Sequence, residues 1–284
     1  MLKVNPQSMS LPDPLQFLIR YPNQSRSLHA YCIGTPKSGT HSLAAMLKNY
    51  RSSHEPEWQN LIDLIGQEHL RRLHYETDDY LITNQKYISY FKIRDRRLNL
   101  EFEASHLLGP FVQILVKAFP RAKFILTLRD CYSWIDSMIN DELNMETQGL
   151  RVYWRKAYDY YFFSENHTYS PKESVLKYQG LYPLSAYIQY WKRHNETIIQ
   201  GIPAEQLLIL KTHEINNSTD RIADYLGILE SQISTENKHA YPSKGKHHVL
   251  KQIPQTYLLE KVQYEAGELM KTYFPDSQGD HLYD

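Results

Sequence analysis

The chain has 284 residues, 42% of them apolar and 23% charged, with 32 Lys plus Arg balanced by 32 Asp plus Glu. That length makes one large or two small domains, and the composition excludes a disordered, collagenous or coiled-coil protein. A formal charge of zero leaves no sequence-wide field to hold a polyanion, so neither nucleic acid nor an acidic membrane is an expected partner.

Residues 1–27 read as an amino-terminal arm, mixing Lys3, Pro6, Pro12, Asp13 and Pro14 without the apolar core of a secretion signal. The remainder, 28–284, reads as one domain. Leu28 to Ile33 predicts a strand ended by Gly34, and Thr40 to Tyr50 carries apolar residues at helical spacing. Residues 57–73 repeat with a period near 3.6 and predict an amphipathic helix. Leu98, Leu100 and Phe102 alternate with Asn99, Glu101 and Glu103, the pattern of a strand with one wet face, and Ser105 follows as a helix N-cap. Pro110 to Phe119 predicts a mostly buried helix whose exposed stripe is Gln113 and Lys117. Phe124 to Leu128 is apolar on both faces, as in a central parallel strand, and a helix from Tyr132 to Asn140 follows. A helix over 184–200, a strand over 207–210 and a helix over 222–226 repeat the alternation. Together these predict an α/β, three-layer, P-loop-like fold: a central parallel sheet flanked by helices, with the ligand site at the carboxyl ends of the strands. No apolar run approaches the roughly 20 residues of a membrane helix. Cys32 and Cys131 are too few for a disulfide framework, and the expected location is cytoplasmic.

Between the first strand and helix lies Gly34-Thr35-Pro36-Lys37-Ser38-Gly39-Thr40-His41-Ser42. A glycine-bearing turn into a helix converges N–H groups and the helix dipole on an anion. A nucleoside triphosphate loop puts its lysine directly after the second glycine and follows it with a hydroxyl on Mg²⁺. Here Thr40 holds that place and Lys37 lies inside the loop. The strand that would end in a metal-binding Asp runs into Arg129 first, and a cation there suits a second phosphate better than a metal.

With these two motifs in this order, the chain resembles the sulfotransferases that use 3′-phosphoadenosine 5′-phosphosulfate (PAPS). Pro36 to Thr40 match the family's P-K-S-G-T phosphosulfate loop, and Arg129 with Ser137 eight positions later match its 3′-phosphate motif. Cys131 stands where the family usually has proline, and His41 where it has Thr or Arg. The resemblance implies that Pro36, Lys37, Ser38, Gly39, Thr40, His41 and Ser42 hold the phosphosulfate, and Arg129 and Ser137 the 3′-phosphate. Lys244, Gly245 and Lys246 are candidates for a late basic loop over the cofactor. PAPS is then the donor and PAP the product, with no metal.

The acceptor hydroxyl needs a base. Glu55, in Ser-His-Glu-Pro-Glu, is similar in placement to a carboxylate of carbohydrate-type sulfotransferases. His106 resembles the histidine base of the aryl and steroid enzymes. The competing structural role of Glu55 is a charge near the start of the 57–73 helix with Pro56 as first helical residue. For His106 it is an inert first-turn contact. His54 and Glu103 are further candidates, with Glu103 expected on the outward strand face or at a substrate. The aromatic segment around Trp154, Tyr158, Tyr160, Tyr161 and Phe162 either walls an acceptor cleft or packs as core. The expected activity is sulfuryl transfer from PAPS to a hydroxyl of a small-molecule, sugar or lipid-like acceptor. The alternatives are a non-catalytic nucleotide-binding protein and an ATP-dependent small-molecule kinase.

Overall fold

The computed structural model describes residues 25–74, 80–147, 151–162, 168–236, 245–277 and 279. Five strands form one sheet: β1 (Ala30–Cys32), β2 (Ser52–His54), β3 (Phe102–Ala104), β4 (Lys123–Leu128) and β5 (Leu207–Lys211), in the order β2-β3-β1-β4-β5. All four pairings are parallel, with Cys32 beside Ala104 on one side and Ile125 on the other. Parallel neighbours require crossovers, and helices supply them.

Successive side chains of β4 feed two cores. Phe124, Leu126 and Leu128 enter a large one, with Trp134, Tyr187 and Trp191, while Ile125 enters a smaller one with Leu43, Met46, Ile222 and Leu226. The small core is closed by α1 (Thr40–Met46) and α9 (Thr219–Leu226). The large core is closed by α2 (Trp58–His74), α3 (Tyr80–Leu98), α4 (Val112–Ala118), α5 (Cys131–Thr147), α6 (Arg151–Tyr161), α7 (Ser174–Tyr178), α8 (Leu184–Gly201) and α10 (Gln255–Tyr273). This is the three-layer arrangement predicted from the alternation of strands and helices. Among the described residues, no helix is long and apolar enough to cross a membrane.

Several local expectations are corrected. The alternation over 98–103 is not one wet-faced strand: Leu98 ends α3 and β3 is only Phe102–Ala104, buried throughout. The acids of this stretch are buried against partners within the protein. Glu103 Oε1 and Oε2 accept from Arg94 Nη2 and Nη1 at 2.8 and 2.7 Å, and Glu101 Oε1 accepts from Ser27 Oγ at 2.6 Å. The first helix stops at Met46 instead of reaching Tyr50. Ser105 opens a 3₁₀ turn (His106–Phe111) ahead of α4, and its side chain makes no cap bond. Pro56 does not begin α2, which starts at Trp58, three residues after Glu55. Gln113 and Lys117 are exposed as expected. Tyr158, Tyr161, Phe162 and Tyr182 are core residues, while Trp154, Tyr160 and Tyr169 are partly exposed and Tyr178 is exposed, so the aromatic segment is only in part packing.

Candidate active site

The loop after β1 is shaped by close contacts. A Cβ on Gly34 would lie 2.0 Å from Thr127 Oγ1 and 2.3 Å from Ser38 Oγ, so only glycine fits. Ser38 Oγ donates to Thr35 O at 2.6 Å and pairs with Thr127 Oγ1 at 2.8 Å, fastening the loop to β4. Trp134 Nε1 donates to Pro36 O at 2.7 Å, and Thr212 Oγ1 donates to Ser38 O at 2.7 Å. The loop is thereby held from β4, α5 and the end of β5. Gly39, at φ 103°, turns the chain into α1.

Lys37 takes the left-handed backbone at φ 63°, a strained conformation for a side chain of this size. Its Nζ lies 2.9 Å from Asp141 Oδ1 on α5. Arg129, at the end of β4, donates through Nη1 to Lys37 O at 3.1 Å and through Nε to Ser133 Oγ at 3.0 Å. Its own carbonyl accepts from Trp191 Nε1 at 2.9 Å. Burial lowers the Arg129 guanidinium below its usual value, with Asp130 and Asp136 pulling the other way; it stays cationic. A cavity of about 470 Å³ opens here, lined by Gly39, Ser42, Arg129, Ser133, Thr212 and Asn216 among others.

Glu55 follows β2 at φ 48°, its N–H bonded to Ala104 O at 2.9 Å, and the bond aims the carboxylate across the sheet end. Its Oε1 lies 2.5 Å from His106 Nδ1. The two rival bases are thus one hydrogen-bonded pair. Burial pushes Glu55 upward, but the charge and hydrogen bond of His106, with His54 and His41 behind it, outweigh burial and hold it below the usual carboxylate range. An ionised carboxylate only accepts, so His106 Nδ1 donates to Glu55 and Nε2 is the ring nitrogen turned away from it. That Nε2 is buried with no partner among the described residues. The imidazole lies between Trp154, at 5.8 Å, and Tyr161, at 5.7 Å. Trp154 in turn stacks on Trp58 at 5.1 Å.

His54 bridges the pair to the loop helix. Its Nε2 lies 3.2 Å from Thr40 Oγ1 and 3.8 Å from Glu55 Oε1, and its ring is 4.8 Å from that of His41. Burial, opposed by Glu55 and reinforced by His41 and His106, lowers it to about 4. Glu103 faces away from this constellation, inside the Arg94 ion pair.

The structure therefore sets Arg129 against the loop, bonded to the Lys37 carbonyl and sharing a cavity with Gly39 and Ser42, and brings Glu55, His54 and His106 into a string that reaches the loop helix at Thr40. Ser137 is buried on α5 and does not line the cavity beside Arg129; Ser133, one turn earlier, touches that guanidinium. Lys244 lies outside the described residues. Gly245 and Lys246 are next to α5, where Asn144 Nδ2 donates to Gly245 O at 3.3 Å and His247 N to Asn140 Oδ1 at 2.6 Å. Sequence reasoning missed Asp141, Ser133 and Thr212. Thr212 and Ser133 had a signal, since each lies just past the carboxyl end of a parallel strand. Among the described residues, no group of three His, Cys, Asp or Glu side chains is placed to hold a metal.

A sequence model described as the sulfotransferase domain matches residues 31–229, more than half of the chain and including Lys37, Glu55, His106 and Arg129. The chain belongs to the sulfotransferase family. No curated protein matches it. Among solved structures, this sulfotransferase is similar to one from Alicyclobacillus acidocaldarius, at 15% identity and TM-score 0.42, over 84% of this chain and 96% of that one. It is also similar to the sulfotransferase domain of the Synechococcus PCC 7002 olefin synthase, at 13% identity and TM-score 0.40, over 98% and 97% of the two chains. Sulfotransferase STF9 from Mycobacterium avium gives 14% identity and TM-score 0.49, over 93% and 79%.

Proposed function

We propose that the chain transfers a sulfuryl group from PAPS to a hydroxyl of a small-molecule acceptor. The observation that carries this reading is the 3.1 Å bond from Arg129 Nη1 to Lys37 O, which joins two anion-seeking motifs 92 residues apart into one cleft. PAPS carries phosphate on both the 3′ and the 5′ carbon of its ribose, and the Lys37 loop with Arg129 and Ser133 beside it offers cationic and hydrogen-bonding groups for both. A triphosphate with Mg²⁺ fits it less well, because the lysine precedes the second glycine and the strand end offers a cation.

When bound, the donor supplies the sulfuryl group: its sulfur–oxygen bond to the 5′-phosphate breaks as a new one to the acceptor oxygen forms. Lys37 Nζ and the loop N–H groups stabilise the charge left on the phosphate oxygen. His106 Nε2 takes the acceptor's proton, and Glu55, bonded to Nδ1, fixes the tautomer and balances the imidazolium that results. Glu55 thus acts through His106. The sugar, lipid-like and other small hydroxyl acceptors share this requirement. The cytoplasmic reading rests on the sequence and on two cysteines that are buried free thiols.

The test is calorimetric titration of PAP, with product detection by mass spectrometry as the gain of one SO₃ on an acceptor from a cell extract. Lys37→Ala is expected to abolish turnover, and Arg129→Ala to weaken PAP and raise the donor KM. Full activity in both variants, or Mg²⁺-dependent ATP turnover by the wild type, overturns the reading.

A further inference from the structure

The loop over residues 34–42 is fastened by side chains of other elements: Thr127 at Ser38 Oγ, Trp134 at Pro36 O, Arg129 at Lys37 O and Thr212 at Ser38 O. These four bonds all reach residues before Gly39. Gly39 itself sits at φ 103° and, as the residue ahead of α1, makes no side-chain bond to it. A glycine leaves the chain beyond it free to swing, so the N–H groups at the far end of the loop need a holder of their own.

His54 is placed to be that holder. Its Nε2 lies 3.2 Å from Thr40 Oγ1, which has no other hydrogen-bond partner among the described residues. Thr40 is 4% exposed, so its hydroxyl is a peg inside the protein and not a group turned to solvent. The same Nε2 lies 3.8 Å from Glu55 Oε1. A carboxylate attracts a hydrogen on that nitrogen and repels a lone pair, which makes Nε2 the donor and Thr40 Oγ1 the acceptor. Burial, with His41 and His106 assisting and Glu55 resisting, lowers His54 to about 4, so at neutral pH the ring has a single N–H to give. The His41 ring, next along α1, meets the same imidazole at 4.8 Å and adds a second contact between α1 and β2. Strand β2 is in turn paired along its length with β3, from Ser52 beside Phe102 to His54 beside Ala104, so the holder stands on the sheet.

We propose that His54 is a positioning residue for the anion-gripping loop: its Nε2–H, bonded to Thr40 Oγ1, fixes the chain beyond Gly39 so that the loop N–H groups stay aimed at one oxoanion. A loop held in its bound shape before the anion arrives loses less freedom on binding. The inference rests on the reading of residues 34–42 as the donor's loop and adds to it a residue from outside the loop.

The test is a double-mutant cycle, read by calorimetric titration of PAP and, separately, of inorganic pyrophosphate into the wild type, His54→Phe, Thr40→Val and the two combined. His54→Phe should weaken both anions about fivefold, the scale of one neutral hydrogen bond, and so should Thr40→Val. The combined variant should also be about fivefold weaker, and not about twenty-fivefold, because both changes cut the same bond. His54→Gln, which keeps an N–H for Thr40, should bind within about twofold of the wild type. A twenty-fivefold loss in the combined variant, unchanged affinity in His54→Phe, or a His54→Gln as weak as His54→Phe overturns the role. Should His54→Phe or Thr40→Val fail to fold, two-bond ¹H–¹⁵N spectra of the histidine rings decide, with the His54 signals assigned by their loss in His54→Gln. Hydrogen on Nε2 is expected there, and hydrogen on Nδ1 overturns the role. A wild type that binds pyrophosphate with this pattern but not PAP counts against the donor reading and leaves His54 in place; one that binds neither anion overturns both.

Discussion

Lys37 has a partner to leave before it can hold an anion. Its Nζ lies 2.9 Å from Asp141 Oδ1, both side chains less than one-fifth exposed, and a phosphosulfate would meet that carboxylate as a like charge. Asp141→Asn removes the competitor and leaves the shape, so PAP should bind about fivefold tighter, the scale of ~1 kcal/mol for a partly exposed pair. Calorimetric titration checks it; equal or weaker PAP binding refutes the competition. Glu55 poses a different question at the same scale. With its carboxylate 2.5 Å from His106 Nδ1, Glu55→Gln keeps the size but can present its amide N–H to Nδ1 and move the ring proton to Nε2. We expect kcat to drop by about 10²-fold or more, the lower range for general base catalysis, with PAP affinity unchanged. A loss confined to the donor KM would assign Glu55 to donor binding instead.

At the scale of elements, the site leans on a buried ion-pair cluster. Arg94 of α3 bonds both carboxylate oxygens of Glu103 on β3 and reaches Pro56 O at 2.9 Å, while Arg97 Nη2 bonds Glu57 Oε2 at 2.8 Å. The cluster pins α3 and β3 to the segment that carries Glu55. Removing one partner leaves a buried charge uncompensated, so Arg94→Ala should cost about 3 kcal/mol and lower Tm by roughly 6–12 °C. Arg94→Met with Glu103→Met should recover most of that loss in a thermal melt; a double variant as unstable as the single one removes the cluster from the account. The same cluster explains what the sequence hid. Strand β4 was legible because Phe124 to Leu128 is apolar on both faces. Strand β2, Ser-Ser-His, carries no hydrophobic pattern and is a strand only because β3 lies beside it. Helix α3 is rich in Lys and Arg, and its buried arginines, Arg94 and Arg97, mimic a wet face. Residues 34–42 were legible because an anion-binding turn dictates its own backbone, glycine by glycine. Asp141 was not, since a lone acid on a helix carries no pattern until α5 sets it against Lys37.

For the whole molecule, acid lability follows from histidines buried without charge. Burial comes first in both cases: it lowers His54 to about 4, where Glu55 resists and His41 and His106 assist, and His194 to about 3, where His106 assists. In the unfolded chain both titrate near the ordinary 6.5. Below that pH the unfolded state takes up protons the folded state refuses, so stability falls as pH drops from 6.5 toward the folded values, by at most about 1.4 kcal/mol per pH unit for each imidazole. Glu55 acts in a lower window: its depressed value gives stability that is present above the ordinary 4.5 and lost as pH falls through the folded value. Tm should therefore decline between 6.5 and about 4, before Glu55 is protonated. His194→Gln takes one of the two imidazoles away and should flatten that decline by about half, whatever it does to Tm at neutral pH. His213→Gln, at a side chain 70% exposed, should leave the slope as it is. Calorimetric melts across this range decide the matter: a His194→Gln profile parallel to that of the wild type would show that the acid lability comes from other groups.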